Sequence, residues 1–205
     1  MTVTLERPPA EGKIISALLP ERNAEFHWTV DAYYKAYDAG VFGDDKRLEL
    51  IQGRIIVKMP PGPQHCYLAD EVAHMLRTAL EPPLLVREEK AVHLAFDTEP
   101  IPDLTVVRGA RADYQERHPA PEEIALVVEV SHTTAVYDLG GKANLYARAG
   151  IADYWVVLVS ENSVVVHRDP TPNGYSIVTR LAGEETLSPL GLPEAVWTIN
   201  ALLGR

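Results

Sequence analysis

Sulfur is nearly absent from this chain. Cys66 is its only cysteine, so neither a disulfide framework nor a thiolate metal cluster can be assembled from it. No apolar run approaches the roughly 18 residues of a membrane-spanning helix. The opening stretch, MTVTLERPPAEGK, has neither the basic start nor the apolar centre of a secretory signal. A reducing, cytoplasmic setting without a membrane is therefore expected. Positive charge is also scarce: 19 Lys and Arg stand against 29 Asp and Glu, for a net charge of -10. That balance argues against broad electrostatic attachment to nucleic acid or an anionic membrane. It leaves room for a local positive groove, and clustered carboxylates are what a hard divalent cation needs.

No internal repeat, low-complexity stretch or dividing linker interrupts the 205 residues, a length that suits one domain. Residues 1–26, rich in Pro, Glu and Arg, read as an N-terminal arm, and 27–205 as a single domain. TVDAYYKAYDAG predicts a short helix with Thr29 as N-cap and Gly40 as its stop. RLELIQGRIIVKM predicts two β runs about a Gln52-Gly53 turn. Leu68, Val72, Met75, Leu76 and Ala79 recur at helical spacing, so residues 64–80 form an amphipathic helix ending before Pro82-Pro83. LLVREEKAVHLAF, IPDLTVV and IALVVEV read as strands, residues 134–149 as a helix, and DYWVVLV, SVVVHR and GYSIVTRL as further strands. The order helix, three strands, helix, strand is that of an α/β core with additional β-strands at both ends.

One residue breaks the pattern. Glu129 sits inside the apolar run IALVVEV, where a buried carboxylate without a partner is very costly. Alternation puts Val127 and Glu129 on one face of that strand, and Val128 and Val130 on the other. Alone, Glu129 would be read as a strand-end acid reaching water or a basic group. The preceding strand, however, opens with Asp103, itself readable as a turn residue after Pro102. Acids on two neighbouring strands can converge about 5 Å apart, and a Mg²⁺ ion needs only a few such protein oxygens, the rest being water and phosphate. Lys142 is the third member. Ala135, Leu139, Lys142, Tyr146 and Ala149 share one helix face, with Tyr137, Gly141, Asn144 and Arg148 opposite. The alternatives for Lys142 are snorkelling to the sheet edge or pairing with Asp138. An ammonium aimed at a sheet that carries two acids accounts for all three residues together.

With those residues in view, IPDLTVV, LVVEVSHTT, YDLGGKANLYARAGIADYWVV and RLELIQGRIIVKMPPGPQH resemble the Uma-two family of restriction endonucleases, a branch of the PD-(D/E)XK nuclease superfamily. The resemblance runs from the helix at TVDAYYKAYDAG to the C-terminus. It implies a restriction-endonuclease-like core, with Asp103 as the acid of the PD element and Glu129 as the acid of the next strand. The lysine usual two positions after that acid is replaced by Ser131, and the resemblance moves it to the following helix, at Lys142. It further implies Glu49 as an additional acid and His65 as a site residue at the start of the first core helix. The plain alternatives are an exposed strand residue for Glu49 and a helix cap for His65. SHTT, where relatives carry Ser-Pro-Ser-Thr, is a departure from the pattern.

The function expected is Mg²⁺-dependent hydrolysis of a phosphodiester in DNA, with Mn²⁺ able to substitute. Asp103, Glu129 and the Val130 carbonyl would hold the metal, and Lys142 would orient the attacking water. Arg47, Arg54, Lys58, Arg87, Lys90, Arg108 and Arg111 are available for phosphate contacts. Cutting both strands needs two sites, which a homodimer would supply, for instance by pairing of SVVVHR across a two-fold axis. The competing reading is a catalytically silent nuclease fold used for binding or assembly. A phosphoesterase for small nucleotides is a third.

Overall fold

The computed structural model describes residues 25–43 and 47–205. The expected N-terminal arm therefore lies almost wholly outside the described residues. Helix α1 (Val30–Asp38) starts where Thr29 is extended and its hydroxyl accepts the Ala32 N–H at 3.2 Å. Strands β1 (Leu48–Ile51) and β2 (Arg54–Val57) pair antiparallel. The turn between them holds both Gln52 and Gly53 at positive φ, 49° and 72°, the geometry that matches the twist of a two-residue hairpin. Leu48 and Leu50 pack with Tyr33 in a small cluster. A bridge from Leu50 to Glu99 ties the hairpin to the segment before β4.

Six strands form the central sheet: β3 (Leu84–Glu88), β4 (Leu104–Arg108), β5 (Ile124–Ser131), β6 (Asp153–Leu158), β7 (Ser163–Thr171) and β8 (Gly174–Ala182). They lie side by side in chain order. Every neighbouring pair is antiparallel except β5 and β6, which run parallel. A parallel pair demands a crossover, and the chain between them supplies one: α3 (Ala135–Tyr137), a π-helical turn (Asp138–Lys142) and α4 (Ala143–Arg148). Helix α2 (Pro63–Ala79) lies on the other face, burying Leu68, Val72, Ala73 and Leu76. Strands β9 (Thr186–Leu187) and β10 (Trp197–Thr198) and helix α5 (Ile199–Leu202) complete the chain. This is the expected α/β class, with core helix, three strands, helix and strand, and with β elements added at both ends.

Strand β5 separates two apolar layers by the period-2 rule. Leu126, Val128 and Val130 join the layer under α2 with Trp155 and Val157. Val127 joins the layer under the crossover with Tyr146, Tyr154 and Val156. Each such side chain contributes about 1.5–3 kcal/mol of burial, so a one-residue slip of β5 would exchange the layers and is strongly disfavoured.

Two expectations need correction. The run LLVREEKAVHLAF is a strand only as far as Glu88; Glu89 takes a positive φ of 45°, and beyond it an isolated Ala95–Thr98 bridge is the only strand-like contact within that run. SVVVHR cannot pair across a two-fold axis as an exposed strand. It lies in β7, hydrogen-bonded on both sides to β6 and β8, and its residues Ser163 to His167 are buried. The strands at the sheet's edges are β3 and β8.

Candidate functional site

Strand β4 begins with Leu104 paired to Val128. One step back along that antiparallel register, Asp103 falls beside Glu129. Both are buried, at 4% and 2% exposure, on the sheet face that the crossover covers. Asp103 also extends the ladder just before β4 begins, because its Oδ2 accepts the Val130 N–H at 2.8 Å. The same Oδ2 accepts from His65 Nε2 at 2.9 Å, and Oδ1 from Lys58 Nζ at 2.7 Å. Lys58 donates again to the Ile101 carbonyl at 2.9 Å. Burial opposes ionisation of Asp103, but the His65 hydrogen bond and the Lys58 charge outweigh it and hold the carboxyl well below the usual range.

Glu129 is arranged differently. Its Oε1 accepts from Lys142 Nζ at 2.9 Å and from the Tyr146 hydroxyl at 2.8 Å. Oε2 receives no hydrogen bond among the described residues. Complete burial pushes the Glu129 carboxyl up to about 7, against the pull of Lys142 and with the help of the Asp103 charge. Burial disfavours the Lys142 ammonium too, yet Glu129, Glu49 and Asp138 together raise it well above the ordinary lysine value. Lys142 therefore stays charged. Its Nζ lies 3.7 Å from Glu49 Oε1, which also accepts the Ile101 N–H at 2.8 Å.

Lys142 closes a π-helical turn in the crossover. Asp138 and Lys142, at its two ends, are buried, while Tyr137, Gly141, Asn144 and Arg148 stay outside as the spacing predicts. At Gly141 a Cβ would meet the Tyr137 ring at 2.8 Å, so any larger residue there would have to push that ring aside. Asp138 does not pair with Lys142 directly; its Oδ2 accepts from Ser131 Oγ at 2.8 Å and from the Thr134 hydroxyl at 2.5 Å. Ser131, two positions after Glu129, thus anchors the turn that carries Lys142.

Asp103, Glu129, Lys142, Glu49, His65 and Val130 all line one pocket of about 540 Å³. Glu49 is buried rather than an exposed strand residue. His65 is not the cap of α2: that position is Gly62, and the imidazole turns to Asp103 instead. Burial opposes protonation of His65, but its bond to Asp103 raises its pKa. Sequence reasoning missed Lys58 as a partner of Asp103, Tyr146 as a donor to Glu129, and the bonds of Ser131 and Thr134 to Asp138, which it had offered as a partner of Lys142. Only Tyr146 carried a signal, being a hydroxyl on the same helix stripe as Lys142. Of the other basic residues offered for phosphate contacts, Arg54 pairs with Glu25 and Arg108 donates to the Glu122 carbonyl.

A mixed sheet whose central strands carry facing acids, with a lysine entering from the crossover, has the restriction-endonuclease-like fold. The family described as "Putative restriction endonuclease", Uma2, matches residues 30–201, and the chain belongs to it. No curated protein matches the chain. Among solved structures it is similar to "a putative nuclease belonging to DUF820" from Anabaena variabilis ATCC 29413, with a TM-score of 0.65 and 19% identity over 86% of this chain and 98% of that one. At that identity the likeness is one of fold. Among the described residues no helix is long and apolar enough to cross a membrane.

Proposed function

We propose that the chain is a divalent-metal-dependent endonuclease that hydrolyses phosphodiesters in DNA, with Mg²⁺ as the ion and Mn²⁺ as a substitute. The observation that carries this reading is the buried constellation of Asp103 and Glu129 on adjacent strands with the Lys142 ammonium 2.9 Å from Glu129. A scaffold has no reason to assemble it, since burying such ions costs several kcal/mol each before their attraction is counted.

The donor set suits a small hard cation. Among the described residues no three His, Cys, Asp or Glu side chains converge as a metal cage. Mg²⁺ does not ask for one: it keeps most of its waters and takes one or two carboxylates plus substrate phosphate. Asp103 and the open Oε2 of Glu129 would hold it. The Val130 carbonyl would join them, because an extended residue turns its C=O to the same edge as its N–H, here the edge that faces Asp103. When bound, the ion supplies Lewis acidity toward a phosphate oxygen and acidifies a water. The neighbouring carboxylates favour the charged form of Lys142, which suits it to orienting the attacking water rather than deprotonating it. The ammonium also offsets negative charge as the phosphorus centre crowds. His65 and the Val130 N–H fix the Asp103 rotamer. Lys58 is the counter-ion of Asp103 while the pocket is empty of substrate, and with phosphate present it is placed to transfer its donors to that group.

Two strands require two active sites, and a homodimer across the edge strand β8 would provide them. One observation favours the silent-module reading instead: Asp103 is already satisfied by Lys58, His65 and Val130 without a metal. Incubation of plasmid and oligonucleotide substrates with Mg²⁺ or Mn²⁺, beside Glu129→Ala, tests the choice. Metal-dependent nicking by the wild type alone supports the enzyme. Equal traces of cleavage in both proteins would reject it.

A further inference from the structure

A second cavity, of about 670 Å³, lies outside the acid pocket and is lined by Tyr34, Arg87, Glu99, Tyr114, Arg117 and His118. Its polar groups are linked in an order that fixes their protons. Tyr34 donates its hydroxyl hydrogen to Glu99 Oε2 at 2.7 Å. Having only one hydrogen, its oxygen must accept at the 2.9 Å contact with His118 Nε2. His118 therefore carries a proton on Nε2, and because burial disfavours the imidazolium, Nδ1 is a bare acceptor. That Nδ1 is buried without a partner. His93 closes the chain by meeting the other Glu99 oxygen at 2.7 Å.

Arg87 is the complementary anomaly. Its guanidinium stacks over the Tyr114 ring, 5.3 Å from the centroid, and it makes no hydrogen bond or ion pair among the described residues. Its Nη1 is buried and unsatisfied. Other charges around the cavity are accounted for: Arg117 is held by both oxygens of Glu123, Glu99 by Tyr34 and His93, and Glu116 is exposed. One cation without a counter-ion and one acceptor without a donor remain in the same place. Leaving either unsatisfied is costly, and more so for the charged group.

We propose that this cavity binds a phosphate monoester or hydrogen phosphate ion, through the Arg87 guanidinium and His118 Nδ1. A planar guanidinium is the side chain best matched to phosphate oxygens. The bare imidazole nitrogen selects among anions. Hydrogen phosphate keeps a P–OH at neutral pH, and a phosphate monoester, with its second pKa near 6, carries one at about pH 6 and below; that hydrogen donates to Nδ1 while the charged oxygens accept from Arg87. A carboxylate, a sulfate or an internal phosphodiester offers no such hydrogen. The site is independent of the acids in the main pocket, and its occupant is either free phosphate or the phosphorylated end of a nucleic acid.

Calorimetric titration of the full chain in EDTA with inorganic phosphate, and separately with sulfate, tests this. Phosphate should bind, with sulfate about tenfold weaker or more. Arg87→Met and His118→Phe, each checked by thermal melting, should each weaken phosphate by about tenfold or more. Lys142→Met, in the other pocket, should leave it within about twofold. Two DNA duplexes differing only in a 5′ phosphate identify the source. An Arg87-dependent preference for the phosphorylated duplex assigns the site to nucleic-acid ends, and binding of inorganic phosphate without that preference assigns it to the free ion. No heat with millimolar phosphate, sulfate binding as tightly as phosphate, or phosphate binding lost in Lys142→Met but kept in Arg87→Met would each overturn the proposal.

Discussion

Replacing Glu129 with Gln should change how stability depends on pH, by an amount set by the burial of that carboxyl. In the folded protein Glu129 is pushed from an ordinary 4.5 up to about 7. A group held above its unfolded value contributes stability that is fully present below the unfolded pKa and lost as pH rises through the folded one. Between pH 4.5 and 7 the unfolded chain releases this proton while the folded chain retains it. Stability should fall by about 3 kcal/mol across that window, or roughly 6–12 °C in Tm for a chain of this size. Other groups titrate as well. Asp103, held low, loses its contribution only as pH falls below its ordinary 3.8. His65, held high, loses its own as pH rises above 6.5. Buried His118 and His167, held low, lose theirs as pH falls below 6.5. The difference between wild type and Glu129→Gln isolates the one carboxyl, since the amide keeps the shape and cannot titrate. Urea denaturation of both proteins in EDTA from pH 4 to pH 8 reads it, and the advantage of wild type over the variant should shrink with rising pH. Parallel curves would refute the reasoning and mean that Lys142 keeps Glu129 ionised throughout.

Lys142→Met retains the aliphatic stem and should leave the fold intact, at a cost limited by the charges it leaves behind, while cleavage under saturating Mg²⁺ falls about 10²-fold or more; a folded, fully active variant would remove Lys142 from the mechanism. Lys58→Met takes the resident ammonium from Asp103, so calorimetry should find Mn²⁺ binding tightened by about tenfold, and unchanged affinity would show that Lys58 does not compete with the ion. Tyr146→Phe deletes one buried donor to Glu129 and should destabilise by about 1–3 kcal/mol, measurable in the same urea titrations. DNA affinity measured in Ca²⁺ should be weak and fall steeply with salt, because the chain is acidic overall; tight, salt-independent binding would point to a non-electrostatic partner surface.

The strand pattern around Glu129 made much of the site legible before any coordinates. Period-2 alternation separates Val127 and Glu129 from Val128 and Val130, and helical spacing brings Lys142 and Tyr146 to one stripe; the fold keeps both. Lys58 was hidden because its partner, Asp103, lies 45 residues away, and no local pattern records which hairpin end meets which strand start. The bonds of Asp138 were hidden for another reason. Helical spacing puts it on the side of Lys142 and suggests an ion pair with that lysine, whereas its partners, Ser131 and Thr134, come from the strand end and the helix entry. SVVVHR misled because a β-rich run with a polar end reads as an edge. Its burial comes from β8, a strand whose own outward side chains gave no sign of the pairing beneath.

The parallel pairing of β5 and β6 has a consequence for where the chain can be cut. Asp103, Glu129, Asp138 and Lys142 all fall within one uninterrupted segment, from the start of β4 to the end of the crossover. A break at Ser160–Asn162, between β6 and β7, leaves that segment and its lysine tethered to the acids. Cutting the chain there should yield a nicked protein that retains the constellation. Opening it at 132–134 instead frees the crossover at its entry to the sheet, so the helix that must bridge two parallel strands and the ammonium that neutralises Glu129 lose their anchor together.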